Sequence, residues 1–253
     1  MIVPEDSLLK FEIPEIIYGL GSLSQIGLSA KRLGGERILL VTDPGLFAAG
    51  WVDESVKYLR EENLQYVVYD NVVTNPRDFQ VEEGVQLYRQ KKCDVIVAVG
   101  GGSPIDTAKG IGILASNHGR IHEYEGCNLI TQPIPPLVCA PSTAGTGADV
   151  SQFTVITNKR ANVKMTILSR AITPDITLVD PHRPGHERLY YPGETNLLMA
   201  DVVVINKIDT ADTEDIDEVR WSVREANPNA VIIDAASPIG VENSELILGK
   251  TAL

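Results

Sequence analysis

The sequence has few of the features that mark membrane, secreted or nucleic-acid-binding proteins. No apolar stretch reaches the roughly 18 residues of a membrane span, and the N-terminus has neither the basic start nor the apolar core of a signal peptide. Clusters of Lys and Arg, which phosphate contacts require, are also lacking in a chain with a net charge of −12. We therefore expect a cytoplasmic protein that binds neither a membrane nor nucleic acid.

Cysteine is scarce as well. Cys93, Cys127 and Cys139 are the only three, an odd number without CxxC spacing. Cys93 and Cys139 lie in or beside apolar runs, which is typical of small buried thiols and not of a disulfide framework or a zinc site.

Acidic side chains are unevenly distributed along the chain. Residues 1–182 hold 16 basic and 21 acidic side chains, a net charge of −5, whereas residues 183–253 hold 6 and 13, a net charge of −7. The last part is therefore far more acidic for its length. This change in charge along the chain predicts two domains of different origin, 1–181 and 182–253.

From residue 36 onward, short β-branched runs alternate with amphipathic stretches. The pattern predicts strands over 38–41, 66–69 and 95–99 and helices over 52–62 and 81–91. This βαβαβ order indicates an α/β fold with a Rossmann-like parallel sheet, whose ligands bind beyond the carboxyl ends of the strands.

After Pro141 the pattern changes. Two β-prone runs, 152–157 and 162–168, are separated by four mostly polar residues, which predicts a β-hairpin. The stretch 180–193 has no periodicity and is interpreted as a loop or boundary. The remaining predicted elements are a strand over 200–205, an acidic helix over 213–226 and a strand over 230–234, which form a partial α/β segment of P-loop type.

A glycine-rich turn follows the strand predicted over 95–99. Its three glycines, 100–102, let the backbone approach a ligand closely, and Ser103 with the free amides of the next helix can bond phosphate oxygens. Pro104 suits a first helical turn, where no amide partner is needed. The spacing is not GxGxxG, and a simple tight connection is the alternative interpretation.

Two further loops accompany this turn: 141–147, which is rich in small and hydroxyl-bearing residues, and 42–45. Together the three loops resemble the iron-dependent, or group III, alcohol dehydrogenase family over about residues 8–181. The match around the glycine-rich turn extends over 100–109, and the other segments that match in order and spacing are 11–14, 18–21, 75–76, 135–136, 173–175 and 179–181.

The resemblance implies an NAD(P) site. Its residues would be Gly100, Gly101, Gly102 and Ser103 at the pyrophosphate, Asp43 at the adenosine ribose, Ser142, Thr143 and Thr146 along the adenine and nicotinamide path, and Asn75, Asp106 and Lys164 around it. A carboxylate at position 43 accepts bonds from a ribose hydroxyl and repels a 2′-phosphate, so NAD is preferred over NADP. Taken alone, Asp43 would be interpreted as a turn-capping carboxylate.

The metal site of that family lies in a second, helical domain, which supplies an Asp and a His four residues apart and two further His. Nothing in this sequence matches that segment, and His118 and His122 fall in a stretch that the family uses as a connection. His182 and His186 are weak candidates because the intervening Arg-Pro-Gly disfavours a helix, although a loop site with Glu187 is an open alternative. Without a divalent metal such as iron, we expect hydride transfer to be slow or absent.

The acidic segment carries Asn206, Lys207 and Asp209 in the four-residue spacing of guanine-binding loops. About 25 residues on, the run 231–237 could supply a second base-contacting loop, and the segment resembles the cyclic 2,3-diphosphoglycerate synthetase family over about residues 179–253. The only approach to GxxxxGK[ST] ends at 249–251, where the first glycine is replaced by Ser. This half therefore offers base-side loops only, and phosphoryl transfer is not expected.

Three hypotheses follow. The first is a catalytically incomplete NAD-binding domain of an alcohol dehydrogenase fused to part of another protein. The second is a nucleotide-binding or regulatory module without catalysis. The third is a working dehydrogenase whose metal comes from His182, His186 and a carboxylate, or from a partner chain. The resemblance implies primary alcohols or aldehydes as substrates. Because the family's helical domain normally covers the cofactor cleft, we also expect marginal stability or association, including homo-oligomers.

Overall fold

The computed structural model describes residues 13–143, 146–180, 198, 200–206, 208 and 212–236. The chain divides into two compact units, Met1–His182 and Arg183–Leu253. Across the described ranges, no helix is both long and apolar enough to cross a membrane.

Strands and helices alternate through most of the described residues of both units. In chain order, the strands are β1 (Glu15–Tyr18), β2 (Arg37–Val41), β3 (Gln65–Tyr69), β4 (Val95–Gly100), β5 (Gly126–Cys127), β6 (Leu137–Pro141), β7 (Phe153–Asn158), β8 (Val163–Leu168), β9 (Ile176–Val179), β10 (Val202–Asn206) and β11 (Val231–Ala235). The helices are α1 (Ile26–Arg32), α2 (Pro44–Ala48), α3 (Trp51–Glu61), α4 (Asp78–Lys91), α5 (Gly102–Ser116) and α6 (Thr213–Ala226).

Six parallel strands form the central sheet of the first unit, in the order β1-β9-β6-β4-β2-β3. Every residue of β4 is buried, as an apolar strand covered by helices on both faces requires. The strands predicted in the βαβαβ series lie within one residue of their observed bounds. The predicted parallel α/β fold is therefore confirmed.

Helix α4 begins at Asp78, three residues before its predicted start. The side chain of Gln80 accepts a hydrogen bond from the amide of Arg77 at 3.0 Å, and Asp78 adds a carboxylate to the positive end of the helix dipole. The apolar periodicity reveals only the buried face, which starts with Val81. The polar first turn was therefore missed.

The predicted hairpin is confirmed as β7 and β8, which pair antiparallel with Phe153 opposite Leu168. Asn158 closes the turn, because its side-chain oxygen accepts bonds from the amides of Arg160 and Ala161, both at 3.0 Å. The hairpin packs on α5 through buried residues that alternate along the strands, as a half-buried sheet demands.

The described part of the second unit is a βαβ segment. β10 and β11 are parallel neighbours, and α6 connects them with the bounds that the sequence predicts. Arg220 of α6 donates to Asp234 of β11 at 2.8 Å and to Asp217 at 2.6 Å, which joins the helix to the strand. Of the loop predicted over 180–193, only Asp180 lies within the described residues.

Candidate functional site

The loops singled out by sequence follow three adjacent strands of the parallel sheet. In the sheet order, β4 lies between β2 and β6, and its last residue, Gly100, is opposite Pro141 in the register. Parallel strands end at the same edge, so the loops after Val41, Gly100 and Pro141 emerge side by side. The structure thus brings the three predicted loops to one edge.

The glycine turn is dictated by local geometry. Gly100 has φ +152°, a conformation that L side chains rarely adopt, and a Cβ atom there would lie 2.5 Å from Cγ of Pro104. A Cβ at Gly101 would lie 3.1 Å from Oγ1 of Thr143, and one at Gly102 would lie 3.1 Å from Cγ2 of Thr146. The turn is therefore closely enclosed by the hydroxyl-bearing loop.

That loop is also joined to the turn by the backbone. The amide of Ser142 donates to the carbonyl oxygen of Gly100 at 3.0 Å, and Thr146 accepts a bond from the amide of Ala148 at 3.3 Å through Oγ1. Helix α5 begins at Gly102, and the first amides of a helix have no intrahelical acceptor. Amides and hydroxyls of this kind are suited to bind phosphate oxygens.

A cleft of about 340 Å³ opens beside the start of α5. Six of the eleven predicted cofactor residues line it, namely Asn75, Gly102, Ser103, Asp106, Thr146 and Lys164. Asn75 adopts a left-handed conformation with φ 57°, and Lys164 reaches the cleft from β8. The cleft is therefore lined by Gly102, by hydroxyl groups and the N-terminus of α5, and by a cation from the hairpin.

Two ionisable groups of α5 are strongly influenced by burial. Desolvation raises the pKa of Asp106 to about 6, while the nearby ammonium of Lys109 and hydrogen bonds from Thr154 and the backbone of Val155 act in the opposite direction. Desolvation likewise lowers the pKa of Lys109, which is fully buried. The half-buried carboxyl of Asp106 therefore changes charge close to neutral pH.

Asp43 lies at the same edge but has a structural role as well. Its Oδ1 accepts bonds from the amides of Gly45 at 2.9 Å and Leu46 at 3.1 Å, which caps α2. The turn-capping interpretation is therefore observed. This cap uses only one carboxylate oxygen of Asp43. The other oxygen can therefore still accept a hydrogen bond from a ribose hydroxyl.

The remaining predicted groups are less well defined. Of the three guanine-loop residues, Asn206 ends β10, whereas Lys207 and Asp209 lie outside the described residues, as do His182 and His186. No group of three His, Cys, Asp or Glu side chains that could hold a metal ion occurs within the described ranges. The described residues therefore do not fit a catalytic metal.

A larger surface groove of about 550 Å³ lies between the start of α4, the turn at Ile121–Tyr124 and the tip of the hairpin. His122 lines it together with Arg120 and Arg160, all exposed. Ion pairs formed by exposed side chains contribute little free energy, because water and salt screen their charges. The smaller cleft at α5 is the stronger candidate site.

Several lining residues were missed by sequence reasoning. Phe153, Val155 and Thr157 form one wall of the cleft, and they share a face of β7 because they are two residues apart. The period-two pattern would have identified them once the hairpin had been placed over α5.

The cysteines behave as predicted, since Cys93 and Cys139 are buried free thiols.

Comparison with known proteins agrees with this geometry. The sequence model described as "Iron-containing alcohol dehydrogenase" matches residues 14–181. The chain belongs to the iron-containing alcohol dehydrogenase family. A second model, described as "CobW/HypB/UreG, nucleotide-binding domain", matches residues 148–234, so the acidic segment resembles a nucleotide-binding domain. None of these matches confirms the predicted likeness to cyclic 2,3-diphosphoglycerate synthetase.

Curated relatives of the iron-containing alcohol dehydrogenase family are similar over about two thirds of the chain. A 1,3-propanediol dehydrogenase of Citrobacter freundii is 41% identical over 177 residues, which covers 69% of this chain and 46% of the relative. The NAD-dependent methanol dehydrogenase of Bacillus methanolicus is 39% identical over 168 residues, covering 66% and 44%. The chain therefore spans less than half the length of these relatives.

Solved structures of similar proteins also match this chain over only part of their own length. The crystal structure of a 1,3-propanediol oxidoreductase aligns with a TM-score of 0.69 at 36% identity, covering 76% of this chain and 51% of the other. A sulfoacetaldehyde reductase from Bifidobacterium kashiwanohense, solved in complex with NAD⁺, aligns with a TM-score of 0.62 at 24% identity. The latter supports the shared fold alone.

Proposed function

We propose that residues 1–181 form the NAD-binding domain of an iron-containing alcohol dehydrogenase and hold the cofactor in the cleft at the start of α5. The observation that carries this proposal is the convergence of Gly102, Ser103 and Thr146 with Lys164 around one cleft. The amides at the start of α5 bind the pyrophosphate, and the ammonium of Lys164 offsets its negative charge.

Cofactor choice is assigned to Asp43. Its second carboxylate oxygen accepts a bond from the adenosine ribose, and the same charge repels a 2′-phosphate. NAD is therefore bound in preference to NADP. One relative supports this choice, because the methanol dehydrogenase of Bacillus methanolicus is named NAD-dependent.

The names of two relatives, a methanol dehydrogenase and a 1,3-propanediol dehydrogenase, support an alcohol dehydrogenase reaction, and we propose primary alcohols or aldehydes as its substrates. The described residues offer no metal-ligand set, and we assign to them nucleotide binding and no step of hydride transfer. We propose that the chain by itself is catalytically incomplete, and that its acidic residues 182–253 form a separate domain.

The assignment of Lys164 provides the test. Lys164→Met removes one positive charge from the cleft and should weaken NADH binding about tenfold, the usual effect of losing a charge-assisted hydrogen bond. The matched control is Lys57→Met, since Lys57 is an exposed residue of α3 with 64% of its side chain accessible. Equal affinity of Lys164→Met and wild-type protein for NADH would refute the assignment.

A second function is favoured by one observation in the acidic segment. Asn206 is opposite Ala235 in the parallel register, and the amide of Ile208 donates to the carbonyl oxygen of Ala235 at 3.3 Å. The two predicted base-contacting loops therefore start side by side, and we propose purine nucleotide binding there as the alternative. Saturable GTP binding that NADH does not compete with would support it.

A further inference from the structure

Lys109 is the one Lys among the described residues whose side chain is fully buried. It lies on α5, two turns after Gly102, on the helix that forms one wall of the cleft. Removing an ammonium group from water is costly unless hydrogen bonds replace its hydration. The position of this charge therefore calls for a structural reason.

The partners of Lys109 lie at the start of β7 and just before it. Its Nζ donates to the carbonyl oxygens of Ser151 at 2.7 Å and Phe153 at 3.0 Å, with Oγ of Ser151 at 3.5 Å. An ammonium has three N–H donors, so its capacity is fully used within this short segment. Phe153 begins β7 and itself lines the cleft.

A second bond joins the same two elements. Oγ1 of Thr154, which is fully buried, donates to the carbonyl oxygen of Asp106 at 2.9 Å. Asp106 lines the cleft from α5, as Phe153 does from β7. The two walls are thus connected directly behind the surfaces that face a ligand.

We propose that Lys109 is a positioning residue that fixes the separation of the two walls of the nucleotide cleft by joining α5 to the start of β7. This inference rests on the proposed NAD-binding function. Lys109 does not line the cleft, so it acts through Asp106 and Phe153 and not by touching the nucleotide.

The charges around this connection give it a distinctive signature. The groups that face Lys109 are Asp106 on its own helix, Cys139 on β6 and Asp149 in the loop before β7. Asp106 in turn faces Lys109 and shares the cleft with Lys164 of β8. Since the ammonium of Lys109 lowers the pKa of Asp106, its removal should raise that pKa further.

The test compares Lys109→Met with wild-type protein, with Lys57→Met as the control for loss of an exposed charge. In protein without nucleotide, hydrogen–deuterium exchange over residues 151–157 should accelerate about tenfold or more in Lys109→Met, because two carbonyls lose their buried donor. NADH should bind about tenfold more weakly, since a shifted wall misplaces several contacts. The midpoint of the pH dependence of NADH binding should move to higher pH, which loss of packing alone would not cause.

Unchanged exchange, affinity and pH midpoint in Lys109→Met would overturn the inference. If that variant does not fold, Lys109→Gln, which keeps a donor but not the charge, should show smaller changes in exchange and affinity and the same shift of the pH midpoint. Wild-type behaviour of Lys109→Gln would be equally contradictory. Failure of wild-type protein to bind NADH would overturn the proposed function and this inference together. Wild-type binding with an unaffected Lys109→Met overturns the inference alone.

Discussion

At the scale of single residues, the site depends on glycines at which a Cβ atom would not fit. Gly100 is the clearest case, because its conformation and its distance to Pro104 both exclude a side chain. Gly34 is a useful contrast, with φ +86° but open space around its Cα atom. Comparing alanine variants at the two positions separates the free energy lost to the backbone conformation from the free energy lost to the contact with Pro104.

Gly100→Ala should lower the free energy of unfolding by about 2–4 kcal/mol, the sum of a left-handed conformation and an overpacked contact. Gly34→Ala should cost only about 1 kcal/mol, for the conformation alone. Urea denaturation of both variants checks the difference. Equal losses would show that the contact with Pro104 relaxes freely.

Asp106 predicts a pH dependence of stability. Its pKa in the folded protein, about 6, lies above the ordinary value of 3.8, so between these values the folded state binds the proton more tightly. Stability should therefore fall as the pH rises from about 4 to 6, and it should stay lower above 6.

Asp106→Asn has no carboxyl group to ionise, so it should not lose stability as the pH rises. The melting temperature of this variant minus that of wild-type protein should therefore increase between pH 4.5 and 6.5. Thermal unfolding across this range is the measurement. Asp53→Asn on the exposed face of α3 is the control. A difference between wild type and Asp106→Asn that does not depend on pH would contradict the assigned burial.

At the scale of elements, helix packing determines how the sheet is covered. Gly27 of α1 faces α3 so closely that a Cβ atom would lie 2.2 Å from the backbone oxygen of Tyr58. Gly84 of α4 has an equally short distance, 2.2 Å, but to Cδ1 of Ile111, the end of a flexible side chain. The two glycines therefore differ in what must move.

Gly27→Ala should cost about 1–3 kcal/mol of stability, because α1 and α3 must separate. Gly84→Ala should cost less, since Ile111 can change rotamer and the added methyl favours the helix. Chemical denaturation ranks the two variants. A larger loss in Gly84→Ala would mean that α4 and α5 are packed more rigidly than α1 and α3.

The elements also show what sequence patterns reveal. Buried strands such as β4 and the hairpin were predicted because apolar runs and period-two alternation are local signals. β1 was not, because it is a four-residue edge strand that pairs with β9 about 160 residues away. The connection between Lys109 and β7 was likewise not predicted, since nothing local to α5 specifies the carbonyls of Ser151 and Phe153 that accept its hydrogen bonds.

At the scale of the whole molecule, part of the apolar surface is uncovered. One face of the β10–β11 pair exposes Val202, Val204, Val231 and Ile233 by 50%, 56%, 58% and 47%. We expect association that increases with protein concentration, because exposed apolar patches favour contacts between molecules. Sedimentation velocity over a range of concentrations checks this, and a monomer with a cooperative melt at high temperature would contradict it.

The central claim is that this chain holds NAD in the cleft at the start of α5. The most direct measurement is a titration of the intact chain with NADH, followed by nicotinamide fluorescence, with NADPH and GTP as competitors. The account predicts saturable binding of one NADH per chain, weaker binding of NADPH and no displacement by GTP. No saturable binding of NADH, or complete displacement by GTP, would contradict it.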